Sequence, residues 1–198
     1  SGRPLHLISA NQHSFLNTLY GEGALQKHAE DMGFFGQFIA DEKKQKKVYN
    51  FASKQGFIDV EDNSGCNVRA QIIDTDKIKD KKHTFSKGTV LMVFDYAFGE
   101  QAYELMDELL KTNIGKQIES ISIMGKAGIM KGKKGDIMVP TAHIFEGTSD
   151  NYPFNNDLSS NDFSNTNIPT LEGTMITVLG TSLQNKDILT YFCRSSWK

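Results

Sequence analysis

Short apolar runs without regular alternation mark the strongest strand candidates along the chain. They cover residues 89–94, 120–124, 136–139 and 174–179. Strands that are apolar on both sides are typical of sheets that are covered on both faces, as in α/β proteins. The pattern therefore predicts a three-layer α/β/α sandwich whose mixed central sheet contains all four segments.

A helix with one apolar face connects the first two of these strands. Its apolar positions follow the spacing i, i+3, i+4, i+7 and i+8, which places them on one side of a helix. These positions are Ala102, Leu105, Met106, Leu109 and Leu110. Strand, helix and strand together predict a right-handed βαβ unit with a parallel strand pair.

The N-terminal part adds a strand at 4–8 and a helix that begins between Ser9 and Ser14, where side chains suited to an N-cap cluster. Gly21 and Gly23 predict an interruption of that helix.

A β-hairpin is predicted further along the chain. Residues 57–60 and 68–73 are rich in β-forming side chains, and the turn residues 62–65 lie between them. At the other end of the chain, the pattern predicts a short helix at 186–192.

The composition changes between residues 140 and 171, where Asn, Asp, Ser, Thr and Pro are enriched. This predicts a long polar loop, a kind of segment that is often functional. Polar groups for ligand contacts are present in it at His143, Glu146, Asp150 and Tyr152. A metal site at His143 and Glu146 is disfavoured because their spacing of three suits a helix, and the stretch has no helical pattern.

Chain length, charge balance and cysteine content narrow the class of protein. A chain of 198 residues suits a single domain, here 1–198, and 24 acidic against 22 basic residues create no overall field for nucleic acid or an anionic membrane. Cys66 and Cys193 are too few for a disulfide scaffold and lack metal-ligand spacing, so a cytoplasmic protein without a metal is expected. No apolar run approaches the ~20 residues of a membrane span.

Two glycines just past a strand candidate suggest a ligand site. Gly125 and Gly128 carry no Cβ, so backbone N–H groups near them can approach a ligand closely. In open α/β sheets ligands bind at the carboxyl ends of the strands. The alternative is that both glycines only permit a tight turn between packed layers.

The turns around these glycines carry a family resemblance. Residues 123–129 form a strand that ends in a G-x-A-G turn, and 134–139 form a Gly-Asp-hydrophobic strand. Together with the turns at 94–102 and 180–183, they resemble the nucleoside phosphorylase and nucleosidase superfamily. This superfamily includes purine nucleoside phosphorylase, uridine phosphorylase and methylthioadenosine/adenosylhomocysteine nucleosidase. The resemblance covers roughly the C-terminal half of the chain.

The resemblance implies a phosphorylase/hydrolase-like fold and cleavage of the N-glycosidic bond of a nucleoside or nucleotide. Hydrolysis requires no cofactor, and phosphorolysis uses phosphate as co-substrate. A homo-oligomer or a complementing chain is the implied partner. The substrate-binding candidates, taken from these turns and from nearby polar residues, are Asn11, His13, Gly99, Gly125, Lys126, Ala127, Gly128, Tyr152, Thr181 and Leu183.

The chain also departs from the family pattern. Leu183 stands where the family places an aromatic against the base, and Lys126 is the nearest cation in place of a phosphate-binding arginine. The family has two further motifs: a Met-Glu pair that binds the ribose and an Asp that protonates the base. Both come after the point that corresponds to Lys198 in this chain. The domain is therefore expected to be C-terminally incomplete. The remaining candidates for the catalytic acid are Glu146, Asp95 and His13.

Three functions are compatible with these residues. The first is N-glycosidic cleavage, with the site completed by further residues or by a partner chain. The second is a non-catalytic nucleoside-binding or interaction module on the same fold. The third is a serine or metal hydrolase that uses His13 or His143; it ranks last because His13 and its neighbour Ser14 are adjacent and rarely face each other. One cleft is expected to hold Asn11, Gly99, the 125–128 turn and Thr181, with the loop 143–154 at its border.

Overall fold

A computed structural model describes residues 2–25, 42–60, 68–79, 83–97, 99–148 and 151–177. Five predicted features lie outside these residues: the hairpin turn 62–65, Asp150, Thr181, Leu183 and the helix 186–192. In the described part of the chain, no helix has both the length and the apolar character that a membrane span requires.

The chain divides into two compact units, Ser1–Gly125 and Lys126–Lys198. In the described residues of the first unit, the α-helices are α1 (Gln12–Leu25), α2 (Glu42–Ser53) and α3 (Gly99–Lys111). Its strands are β1 (Leu5–Ser9), β2 (Phe57–Val60), β3 (Ala70–Asp74), β4 (Val90–Phe94) and β5 (Ile118–Ile123). The second unit contains β6 (Ile137–Phe145), β7 (Asn151–Pro153) and β8 (Thr170–Thr177). The prediction of one domain stays a prediction.

The first unit is built on a five-stranded sheet in the order β2-β3-β4-β1-β5. β1 pairs in parallel with both β4 and β5, whereas β3 pairs antiparallel with β2 and β4. The sheet is therefore mixed, and the predicted hairpin is confirmed as β2 and β3.

Helices cover both faces of this sheet. On one face Ile8 packs with Leu16 of α1 and Val48 of α2. On the other face Leu7 packs with Leu105 of α3. This arrangement follows from the alternation of side chains along a strand, because Leu7 and Ile8 point to opposite faces. The α/β class and the three-layer sandwich are confirmed in this unit.

The first helix begins where the sequence predicts. Asn11 is its N-cap, and its Oδ1 accepts a hydrogen bond of 3.0 Å from the His13 N–H. The interruption predicted at Gly21 and Gly23 is wrong, because α1 is helical to Leu25. Packing against α2 stabilises this turn. The lack of a side chain at Gly23 makes room for the Phe51 ring of α2, because a Cβ on Gly23 would lie 2.8 Å from that ring.

The predicted βαβ unit is present as β4, α3 and β5, and its two strands run in the same direction. The predicted pairing of these two strands with each other is wrong, because β1 lies between them. β5 is an edge strand, and Ile121 and Ile123 are 55% and 79% exposed. The expectation that residues 120–124 are covered on both faces is therefore wrong.

The second unit has its own three-stranded sheet in the order β7-β6-β8. Segments 136–139 and 174–179 belong to β6 and β8, as far as the described residues extend, so the prediction of one sheet for all four segments is wrong. β6 pairs with β8 on one side and with β7 on the other. A strand has only two edges, so β6 has none left for β5.

The long polar loop predicted for 140–171 is largely wrong. β6 continues to Phe145, since Ala142 and Ile144 alternate into the buried face. β7 follows, and Ser160–Thr166 form a 3₁₀ helix. A capping box between Ser159 and Asp162 starts that helix. The polar composition of the segment masked these elements.

Gly56 is a position where a side chain would not fit. Its φ is +81°, and a Cβ would lie 2.9 Å from the Cβ atoms of both Asp74 and Lys77. Its carbonyl accepts the Asp74 N–H at 2.9 Å, which holds the turn after α2 against the end of β3.

We expect Gly56→Ala to lower the free energy of unfolding by more than about 1 kcal/mol, since it adds left-handed strain to a steric overlap. Urea unfolding measures this. Gly125→Ala is the matched control, because the nearest atom to its Cβ, Tyr96 Cε1, is 4.0 Å away. Equal losses in the two variants would contradict the prediction.

An ion-pair cluster ties the N-terminal segment to the end of β3. Arg3 Nη2 lies 2.5 Å from Asp74 Oδ1, and Lys77 Nζ lies 3.4 Å from Asp74 Oδ2. The hydrogen bond from Arg3 is the largest cause that lowers the pKa of Asp74, against a smaller opposing effect of burial. Asp74 is therefore ionised in the folded protein at neutral pH.

We expect Asp74→Asn to destabilise the fold at pH 7. A carboxylate whose pKa is lowered on folding stabilises above its unfolded pKa, about 3.9, and that stability is lost as the pH falls through the folded pKa. In urea unfolding, the difference in the free energy of unfolding between wild type and variant should therefore narrow below about pH 4. Asp107→Asn, which removes an exposed pair with Lys111 on α3, is the control and should change stability less. A difference in the free energy of unfolding that stays constant with pH would contradict a stabilising role of the Asp74 carboxylate.

Candidate functional site

Three parallel strands end together at one edge of the five-stranded sheet. Ser9 at the end of β1 is in register with Phe94 of β4 and with Ile123 of β5. Hydrogen bonds extend the pairing past the strand ends: the Ala10 N–H donates to the Phe94 carbonyl at 3.0 Å, and the Met124 N–H donates to the Ser9 carbonyl at 2.9 Å. This carboxyl edge is where open α/β sheets bind ligands.

The structure brings several of the predicted site residues to this edge. Asn11 follows β1, Asp95 and Gly99 follow β4, and Gly125 follows β5. A Cβ on Gly125 would lie 4.0 Å from the Tyr96 ring, so the two turns are neighbours. The expectation that these turns lie at the same edge of the sheet is met. Their role as a binding site stays a prediction.

Two helices begin at the same edge. Helix N-termini carry unpaired N–H groups and a partial positive charge, which suit anionic groups. In α1, the Asn11 side chain already accepts a hydrogen bond from one of these N–H groups, that of His13. In α3, the first residue is the exposed Gly99, and among the described residues outside its own helix and chain neighbours no atom lies within 4 Å of its Cβ position. The start of α3 is therefore the more accessible of the two, with the Glu100 carboxylate in its first turn.

The three candidate acids have different environments. Asp95 is half-buried, and its backbone N–H donates to the Arg69 carbonyl at 3.1 Å, which fixes the turn after β4. His13 is exposed in the first turn of α1. Glu146 belongs to the second unit and follows β6. Of the three, Asp95 combines partial burial with a position at the carboxyl edge.

Gln12 is a residue that sequence reasoning missed. It is the first residue of α1 and only 3% exposed, and its Nε2 has no hydrogen-bond partner in the part of the chain that the structure describes. A buried donor without a partner costs about 1–3 kcal/mol, so such groups often mark sites where a ligand or water completes the bond. The available signal was its position directly after Asn11 at a strand end.

The rest of the predicted G-x-A-G turn belongs to the second unit. Lys126, Ala127 and Gly128 are exposed and form an irregular segment at its start, without a regular turn. The cleft predicted to contain them together with Asn11 and Gly99 stays a prediction.

In the second unit, polar residues gather at the carboxyl ends of β6 and β8. His143 Nε2 lies 2.7 Å from Thr177 Oγ1, and the Glu146 N–H donates to the Thr177 carbonyl at 2.9 Å. Tyr152 on β7 is directly opposite His143. Within the described ranges, no three His, Cys, Asp or Glu side chains converge in a way that holds a metal.

An open concavity of about 740 Å³ also lies in the second unit. Its lining includes Pro153 and Phe154, from the segment 143–154 that was expected to border the cleft, but none of the described substrate-binding candidates. Glu172 forms part of its wall, and the Ser160 N–H that donates to this carboxylate at 2.6 Å lowers its pKa. The remaining wall residues are Val139, Thr141, Pro153, Phe154, Asn155, Asn156, Leu158 and Ser159.

Comparison with solved structures identifies a similar fold. A mutant of MTAN, the methylthioadenosine nucleosidase of Helicobacter pylori, solved with 5'-methylthioadenosine in its active site, is similar with a TM-score of 0.51. The sequences are 9% identical, and the match covers 98% of this chain and 74% of that chain. Such low identity supports the fold alone, and it agrees with the phosphorylase/hydrolase-like α/β class.

Sequence comparison gives the family. No curated protein matches the chain. One family profile matches residues 31–198, which is most of the chain. The protein therefore belongs to the family described as "Family of unknown function (DUF6909)".

Proposed function

We propose that the protein cleaves the N-glycosidic bond of a nucleoside or nucleotide, with a purine as the leaving base. One observation carries the proposal: β1, β4 and β5 end at one edge and place Asn11, Asp95 and Gly125 in neighbouring turns. Ligand sites at such edges are a property of open α/β sheets, and the chemistry is argued from the residues.

The chemistry of glycosidic cleavage makes three demands that these groups can meet. The leaving base needs a proton, the sugar needs contacts to its hydroxyl groups, and the oxocarbenium-like transition state needs electrostatic stabilisation. Asp95 is the proposed proton donor to the base. The Gln12 amide nitrogen, which has no partner among the described residues, is the proposed donor for a sugar hydroxyl. The start of α3, where Gly99 is exposed, is the proposed place for phosphate as a co-substrate.

The fold comparison supports the choice of ligand. The similar MTAN structure holds a purine nucleoside, 5'-methylthioadenosine, in its active site. The turn motifs that resemble the nucleosidase superfamily point to the same class of ligand. The further candidates Lys126, Ala127, Gly128, Thr181 and Leu183 are proposed as substrate contacts on that resemblance.

Release of free base is the decisive measurement. The protein is incubated with adenosine, inosine or methylthioadenosine, with and without phosphate, and free purine is quantified by chromatography. Dependence on phosphate separates phosphorolysis from hydrolysis. Nucleoside binding without any base release would contradict the enzymatic function and favour a non-catalytic binding module.

Substitution of Asp95 tests the proposed acid. Asp95→Asn keeps the size of the side chain and removes the proton, so we expect kcat to fall by about 100- to 10,000-fold while the affinity for nucleoside changes little. Glu104→Gln, an exposed change on α3, is the matched control and should leave kcat unchanged. If Asp95→Asn retains full kcat, the acid lies elsewhere, and Glu146→Gln and His13→Gln are the next variants.

A further inference from the structure

The open concavity of the second unit is formed by the three-stranded sheet and by the segment that follows β7. Val139 on β6 and Glu172 on β8 are directly opposite each other, so their side chains point to the same face of the sheet. The segment 153–159 provides most of the remaining wall. The concavity measures about 740 Å³. Pockets for small molecules measure roughly 300–1,000 Å³, so its size suits a small organic ligand.

Hydrogen bonds hold the wall segment against β6. The Phe154 N–H donates to the Thr141 carbonyl, and Asn156 Nδ2 donates to the Pro140 carbonyl, each at 3.2 Å. Asn156 Oδ1 in turn accepts the Leu158 N–H at 3.2 Å. The protein's own bonds therefore tie the segment to the sheet, and the concavity is formed before any ligand binds. A preformed site spends less free energy on ordering when it binds.

Glu172 is the only charged residue in the described part of this wall. It is exposed, and its Oε1 accepts the Ser160 N–H at 2.6 Å. This bond is the largest cause that lowers the pKa of Glu172, so the carboxylate is ionised at neutral pH. None of the ion pairs among the described residues includes Glu172. Its negative charge is therefore positioned by the fold without a basic side chain paired to it there.

The charge of the surrounding segment is also negative. Residues 137–177 contain five acidic residues and no lysine or arginine. A wall with one carboxylate in an acidic segment is complementary to a cation and disfavours anions. The charge pattern therefore selects a positively charged occupant.

The lining selects among cations. Hard metal ions such as Mg²⁺ and Ca²⁺ take several oxygen ligands, and within the described residues no three His, Cys, Asp or Glu side chains converge. Four apolar residues of the wall can instead cover an alkyl chain. They are Val139, Pro153, Phe154 and Leu158.

The hydrogen bond from Ser160 favours an ammonium over a guanidinium. A guanidinium pairs best through two parallel bonds to both oxygens of a carboxylate. Oε1 of Glu172 already accepts the Ser160 N–H. A primary ammonium is a compact charge that pairs through a single oxygen. The cation that this wall fits best is therefore an ammonium group on an alkyl chain.

We propose that the concavity of the second unit binds a small primary alkylamine, with its ammonium group paired to Glu172 and its alkyl chain against the apolar wall. The proposal goes beyond the cleavage of nucleosides. It uses residues of the second unit alone and needs neither Asp95 nor any other group of the first unit.

Nuclear magnetic resonance titration of the ¹⁵N-labelled 198-residue protein with pentylamine tests the proposal. 1-Pentanol has the same chain length without the charge, and pentanoate carries the opposite charge. We expect pentylamine to bind about 10-fold more tightly than 1-pentanol, because a hydrogen bond between charged groups adds about this factor. Pentanoate should give no saturable shifts. The amide signal of Ser160, which is bonded to Glu172, should move with pentylamine.

Glu172→Gln keeps the size of the side chain and an acceptor for the Ser160 N–H, and it removes the charge. We expect it to weaken pentylamine binding by about 10-fold and to leave 1-pentanol binding unchanged. Asp157→Asn is the matched control, because it removes an exposed carboxylate from the same acidic segment outside the described wall. It should change the pentylamine affinity by less than about twofold.

Thermal unfolding of each variant confirms that it is folded. If Glu172→Gln is not, the salt dependence of the wild type decides. Between about 50 mM and about 500 mM NaCl, screening should weaken pentylamine binding and should not weaken 1-pentanol binding.

Four results would overturn the proposal. They are equal affinities for pentylamine and 1-pentanol, equal effects of Glu172→Gln and Asp157→Asn, pentylamine binding that does not change with salt, and tighter binding of Nα-acetyl-lysine amide than of pentylamine. The last result would assign the concavity to a lysine side chain of a peptide. Each readout is binding at the second unit, so the presence or absence of base release changes none of them.

Discussion

The parallel pairing of β1 with both β4 and β5 is the constraint on which the rest of the first unit depends. β1 is the only strand whose two edges are both taken by parallel partners among the described residues. It is also buried on both faces, since Leu7 contacts the α3 side and Ile8 the side of α1 and α2. Parallel strands point their carboxyl ends the same way, so the turns after all three strands meet at one edge. The positions of Asn11, Asp95 and Gly125 follow from this pairing.

A similar constraint acts in the second unit. β6 has one partner on each edge, β8 in parallel and β7 antiparallel. This pairing fixes which residues share a face, and it places Tyr152, His143 and Met175 in one exposed row. The chain thus presents two different kinds of surface. The first unit offers backbone donors and a carboxylate at a sheet edge, and the second offers aromatic and imidazole groups on a sheet face.

Family membership and fold similarity support different statements about this protein. Membership of the DUF6909 family covers most of the chain. The similarity to the Helicobacter pylori nucleosidase, at 9% identity, concerns the fold. Folds of this class host many reactions, so the fold by itself does not give the function. Two side chains at the carboxyl edge of the sheet have distinctive environments: the buried Gln12 Nε2 has no hydrogen-bond partner among the described residues, and Asp95 is a half-buried carboxylate.

The sequence by itself determined the elements with a clear local signal. The apolar runs identified β1, β4, β6 and β8, and the 3.6-residue period identified α3. Local signals also placed the start of α1 between Ser9 and Ser14, where Asn11 is the N-cap. Only the tertiary structure decided how the strands are shared between sheets, because pairing depends on which edges are free and not on the residues of one strand. For the same reason, the exposure of β5, the helical turn at Gly23 and the row formed by Tyr152, His143 and Met175 were not apparent from the sequence. Each depends on a neighbour that is distant along the chain.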